Sequence, residues 1–129
     1  MSTRCMIEVA GISVKLYKHH DGYPEGVLPS LVPLVKRFIS ARGWDPEYML
    51  ARVSQWLMNE SDASMDEYRK ASGRPAETEA LGFGLDTQYH GDIEYVYIIK
   101  QINNKACVCC YSFNRKIERP GKIVSVTEV

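Results

Sequence analysis

Hydrophobic and polar residues alternate over residues 4–9, with Cys5, Ile7 and Val9 on one side, and again over 12–18 through Ile12, Val14 and Leu16. A period of two is that of a half-buried strand. The short Ala10-Gly11 link between the runs predicts an N-terminal β-hairpin. Residues 19–26 read as a loop, because Asp21-Gly22 is a turn dipeptide and Pro24 cannot continue a ladder.

The period then becomes helical. Leu34, Val35, Phe38 and Ile39 make an apolar stripe ended by Gly43, with Ser30 placed to cap it and Pro33 in the first turn, where a missing N–H is harmless. A start near Glu25 would instead put Pro29 and Pro33 inside the helix and kink it. A second helix is signalled by Asp45 as N-cap, Pro46 at the first helical position and Trp44 placed to staple against Met49. Met49, Leu50, Val53, Trp56 and Leu57 give it one broad buried face, read as core packing. Residues 59–80 are polar. Within them Ser64-Met65-Asp66-Glu67 spells a capping box before a short helix of about two turns, ended by Gly73-Arg74-Pro75. With few large apolar residues, this stretch is expected to be a mobile lid or a variable insertion.

The last third reads as strands over 81–86, 93–101, 106–113 and 122–127, with a turn at 89–92 and a hairpin turn at Asn103-Asn104. Ile98-Ile99 interrupts the alternation, which suits a central strand covered on both faces. Segregated strands and helices predict one α+β domain: a mostly antiparallel sheet of about five to six strands, with two main helices and the short one on one face.

Composition narrows the function classes. The 129 residues are 45% hydrophobic and 25% charged, with 16 Lys plus Arg against 16 Asp plus Glu. That is globular composition with no excess positive field, which argues against nonspecific nucleic-acid binding. Arg115, Lys116, Arg119 and Lys122 give only a modest basic bias, read as a solvated face. No apolar run is long enough to cross a bilayer and no signal-peptide core follows the first residues, so a cytoplasmic protein without a membrane partner is expected. Cys107, Cys109 and Cys110 crowd one strand and Cys5 sits in another, which predicts reduced core residues. Zinc binding by them is disfavoured, because an extended strand splits the three thiols between its faces.

Phosphate-loop, dinucleotide, zincin and serine-elbow motifs are absent. What stands out is a pair of polar loops, His19-His20-Asp21-Gly22 and His90-Gly91-Asp92, each with a histidine two residues before an aspartate. Histidine with carboxylate can hold a divalent metal or form a proton-transfer pair; the same aspartates can also simply support turns. Tyr17, Tyr23, Tyr89, Tyr95 and Tyr97 surround these segments and offer apolar faces with hydroxyl handles. Together with Arg4 and Lys18 they suit a small anionic or nucleotide-like ligand. The candidate ligand site is therefore Arg4, Tyr17, Lys18, His19, Asp21, Tyr23, His90, Asp92 and Tyr95, with no cofactor. The alternative is a divalent metal on His19, Asp21, His90 and Asp92 in a phosphoesterase, with the two loops at one edge of the sheet.

The segments Thr3-Arg4-Cys5-Met6-Ile7 and Leu16-Tyr17-Lys18-His19-His20-Asp21-Gly22-Tyr23-Pro24-Glu25, with Gly91-Asp92-Ile93-Glu94-Tyr95-Val96-Tyr97, resemble a family of short uncharacterised phage, prophage and bacterial proteins. Its signature is Tyr-x-His-x-Asp-Gly-Tyr-Pro. His20 stands where that pattern has tryptophan. The resemblance implies a bacterial host cell and no particular reaction; it adds a third reading, a module that docks on and inhibits a host protein. The leading expectation is a noncatalytic small-ligand-binding module. A homodimer is also expected, because the strands over 93–101 and 106–113 carry more apolar residues than the helices cover.

Overall fold

The alternating N-terminal runs do pair as a hairpin in the computed structural model, which describes residues 3–73 and 82–129. β1 is Cys5–Val9 and β2 Lys15–Lys18, followed by α1 (Pro24–Arg42), α2 (Pro46–Ser72), β3 (Phe83–Asp86), β4 (Tyr95–Ile102), β5 (Lys105–Asn114) and β6 (Arg119–Glu128). The six strands form one sheet in the order β3-β2-β1-β4-β5-β6. Every neighbouring pair is antiparallel except β1 with β4, which run parallel from Cys5↔Tyr95 to Val9↔Ile99. This is the α+β architecture read from the sequence. Asn103 and Asn104 make the β4–β5 turn with φ of 51° and 64°, as a two-residue turn with both residues left-handed requires.

One face of the sheet carries both helices. Cys5, Ile7, Val9, Leu16, Tyr97, Ile99, Val108 and Cys110 meet Val27, Leu31, Val35 and Phe38 of α1 and Met49, Val53 and Leu57 of α2 in a single core. Burying each large side chain of this kind contributes about 1.5–3 kcal/mol. Tyr97 is fully buried, and its hydroxyl is satisfied by donating to the Gly22 carbonyl at 2.7 Å. All four cysteines are free and buried. Among the described residues no helix is long and apolar enough to cross a membrane.

Three helix expectations change. α1 begins at Pro24, at its first position, and contains Pro29 and Pro33. Both lie on the exposed side, where water can satisfy the carbonyls that lose an amide partner. The expected short helix after Ser64 is part of α2, which runs unbroken to Ser72 and is capped by Gly73 at φ 68°. No proline or glycine interrupts residues 58–72, so a helix already nucleated propagates through them although residues 58–67 have no buried side chain. Residues 74–80 of the expected insertion, and the start of the strand expected from 81, lie outside the described residues. Asp45 does occupy the N-cap position of α2, its carbonyl accepting from the Met49 amide at 2.8 Å, but its carboxylate accepts from Arg42 Nε at 2.9 Å and caps no amide.

Among the described residues no helix covers the other face. β3 and β4 run in the same sense on either side of β2 and β1, and the chain joins them through residues 87–94 laid across that open face. The short connection is pinned by its own side chains, and the site is built there.

Candidate functional site

The parallel pairing of β1 with β4 puts their N-terminal ends together, and antiparallel β2 returns its C-terminal end to the same edge, Cys5 lying opposite both Lys18 and Tyr95. Arg4, Tyr17 with His19, and Asp92 are therefore neighbours. The Tyr17 hydroxyl donates to Asp92 Oδ2 at 3.0 Å and lies 3.0 Å from His19 Nδ1. Arg4 Nε lies 3.2 Å from the same His19 nitrogen and 3.3 Å from the same Asp92 oxygen.

One imidazole nitrogen cannot both donate to Tyr17 and accept from Arg4. Two proton arrangements satisfy the cluster. In one, Nδ1 accepts from Arg4 while Tyr17 donates to Asp92. In the other, Nδ1–H donates to Tyr17, which relays to Asp92, and Arg4 pairs with Asp92 alone. Desolvation, and then the hydrogen bond to Asp92, push the Tyr17 hydroxyl up to about 12. It remains protonated at neutral pH.

His90 closes one side. Its ring stacks on Tyr17 with centroids 4.3 Å apart and planes 29° apart, and its Nε2 lies 3.1 Å from Asp86 Oδ2. The Gln88 backbone amide and then His90 hold the Asp86 carboxyl below the usual carboxylate range. His90 reaches this position because residues 87–94 cross the open face. The crossing is fixed next door, where the Tyr89 hydroxyl donates to Glu8 Oε1 at 2.5 Å and the Tyr89 ring packs on Phe113. Lys15 Nζ pairs with Glu8 Oε2 at 3.3 Å, donates to the Ser13 carbonyl at 2.9 Å and sits 4.9 Å over the Tyr89 ring. Glu8 and Lys15 are buried, so this ion pair is sealed beneath the loop.

The two polar loops thus meet at one edge, through His19 from the first and His90 and Asp92 from the second. Of the other sequence-predicted residues, Asp21 is exposed with φ 53° and takes no part in the cluster's hydrogen bonds. Its segment is shaped by glycines: a Cβ on Gly22 would lie 2.8 Å from the Arg4 carbonyl carbon, and one on Gly26 2.6 Å from the Asp21 oxygen. Tyr23 is the residue before α1, Tyr95 packs against the helix-side core, and Lys18 Nζ lies over the Phe83 ring and donates to the His20 carbonyl.

The four-residue metal arrangement does not assemble. His90 pairs with Asp86 instead of Asp92, Asp21 stands apart, and a guanidinium occupies the space between His19 and Asp92. Among the described residues no group of three or more His, Cys, Asp or Glu side chains is placed to hold a metal ion.

Sequence reasoning missed Asp86, Glu8 and Lys15. The signal was available in the period of two, which places Glu8 on the same side as Met6, and Lys15 on the same side as Tyr17. A separate open groove of about 900 Å³ lies between the helices, lined by Phe38, Tyr48, Trp56, Arg42 and Arg52 among others. Its rim is already stacked, with Arg42 4.0 Å from the Tyr48 ring centre. No family model, curated protein or solved structure matches the chain.

Proposed function

We propose that the protein is a noncatalytic module that binds a small anionic, nucleotide-like ligand at the edge formed by Arg4, Tyr17, His19, His90 and Asp92. The observation that carries this reading is the position of Arg4, whose Nε reaches both His19 Nδ1 and Asp92 Oδ2 at the rim of the sheet, with a third of its side chain still exposed. A guanidinium held through its inner nitrogen keeps its planar fork for a phosphate or carboxylate. The stacked rings of Tyr17 and His90 give an aromatic surface beside that charge, the combination a base or sugar attached to a phosphate would use. Asp92 is half exposed, so an incoming anion can share Arg4 while Asp92 keeps its bond from Tyr17.

Thermal denaturation with nucleoside mono- and diphosphates, cyclic nucleotides and inorganic phosphate at millimolar concentration tests the proposal. A ligand that binds only the folded chain raises the melting temperature by mass action. The rise is expected with at least one nucleotide and is lost in Arg4→Gln and in Tyr17→Phe. Absence of a shift with every compound refutes the reading.

A further inference from the structure

The groove between α1 and α2 shares no residue with the ligand edge. Its lining is rich in tryptophan, tyrosine and arginine, the side chains that carry most of the energy in protein interfaces. The two helices are joined through Gly43, Trp44 and Asp45 alone. Ala41 and Ala51, one from each helix, bring only a methyl group to the groove, which leaves its space of about 900 Å³ unfilled. Tyr48 and Trp56 stand along its α2 side, and Tyr48 is 57% exposed.

Both helices contribute cations to it. Arg42 of α1 stacks on Tyr48 with its guanidinium carbon 4.0 Å from the ring centre, and its Nε donates to Asp45 Oδ2 at 2.9 Å. Arg37, also of α1, stacks on Trp56 at 3.9 Å. Arg52 of α2 donates to Gln55 Oε1 at 2.7 Å. Among the described residues no ion pair engages Arg37 or Arg52, and Glu47 is the acidic residue of the lining. We propose that this groove takes an acidic amphipathic helix of a partner protein, with the apolar stripe of that helix on Phe38, Ala41 and Ala51 and its carboxylates against Arg37, Arg42 and Arg52.

The shape favours a helix over a small molecule. A groove open along its outer side leaves a small ligand wet on that side, whereas small-molecule sites enclose most of their ligand. A third helix laid along a helical pair buries its apolar face in such a groove. At a rise of about 1.5 Å per residue, Tyr48 and Trp56 are about 12 Å apart along α2, room for about two turns of the partner. The charge sets the sign of that partner. Guanidiniums on both helices pair with carboxylates on both flanks of an apolar stripe and repel a basic helix. Held against flat rings or a neighbouring amide, they lose little freedom when the partner arrives.

Fluorescence anisotropy with a labelled synthetic peptide tests the proposal on the full chain. The peptide has about 16 residues, long enough to form a helix, with leucines at helical spacing flanked by glutamates; a control peptide carries lysines in their place. The acidic peptide is expected to bind at least tenfold more tightly than the basic one, and more weakly as salt is raised. Arg52→Glu reverses one charge of the groove, and Ala51→Glu fills its floor with a like-charged side chain; each is expected to weaken binding about tenfold or more. Both positions are exposed, and circular dichroism verifies that the variants are folded. Arg119→Glu, on β6, leaves the affinity unchanged. No binding of the acidic peptide, binding undiminished in either groove variant, an equal loss in Arg119→Glu, or tighter binding of the basic peptide or of single-stranded oligouridylate overturns the proposal.

Discussion

Tyr89 and Glu8, 81 residues apart in the chain, are joined by a 2.5 Å hydrogen bond that closes the connection between β3 and β4 over a buried ion pair. A carboxylate taken out of water is costly unless its oxygens are matched. Here Oε1 accepts the tyrosine's hydrogen bond and Oε2 pairs with the lysine. Tyr89→Phe is expected to cost roughly 1.5–3 kcal/mol, the worth of a hydrogen bond to a charged group, and Lys15→Met about 3 kcal/mol or more, because it leaves Glu8 buried and unpaired. Urea denaturation measures both. Unchanged midpoints would mean that the loop is not held by this contact.

Alkaline pH should act through tyrosines. Tyr17 is pushed up to about 12, chiefly by desolvation and then by Asp92. Tyr89 and Tyr97 are raised as well, by burial first, and then by Glu8 for Tyr89 and by the Cys110 and Cys5 thiols for Tyr97. In the unfolded chain all three titrate near the ordinary value of 10. The folded state therefore holds protons that the unfolded state loses. Their contribution to stability is complete below pH 10 and falls as pH rises from 10 toward 12. Ultraviolet titration of the eight tyrosines should show a late group whose ionisation coincides with unfolding; eight independent transitions near pH 10 would contradict this.

Asp21 and Asp92 should separate in a binding assay. Asp21→Ala places an alanine at φ 53° and should cost about 1 kcal/mol, whereas Asp21→Gly tolerates that backbone. Neither change should alter ligand affinity. Asp92→Asn removes the charge that pairs with Arg4 and should change affinity with a smaller effect on stability. Calorimetric titration beside thermal melts compares the two; an affinity loss in Asp21→Gly would return that residue to the site.

Pro33 sits on the solvent side of α1, ten positions into a 19-residue helix. Pro33→Ala restores the missing amide donor and should stabilise the chain by about 1–3 kcal/mol, read as a higher melting temperature. A fall instead would mean that the proline sets a bend the core requires.

The strands were legible because period-two alternation survives in both hairpins and because Asn103-Asn104 can adopt the two left-handed conformations the β4–β5 turn needs. The meeting of His19 with Asp92 was legible as a pair of similar loops. The extent of α2 was not, since Ser64 and Glu67 carry capping chemistry that a helix already under way has no occasion to use. The separation of Asp21 from that cluster was hidden for a related reason. Histidine-x-aspartate is equally the spelling of a site and of a turn, and only the close approach of Gly22 and Gly26 to the backbone separates them. The pairing of His90 with Asp86 follows from a loop crossing the open face, which no local pattern announces.

The parallel β1–β4 pair has a kinetic consequence. β4, β5 and β6 are joined by short links and can zip as a meander of local contacts, whereas Cys5 must find Tyr95 at a sequence separation of 90. Closing so long a stretch carries an entropic cost before any contact repays it, and such distant pairings slow folding. Arg4, just before β1, and Tyr17, in β2, lie on one side of that closure and Asp92, shortly before β4, on the other. The cluster comes into being only when the chain's beginning is docked, so on the proposed reading ligand binding would report completion of the fold as well as its presence.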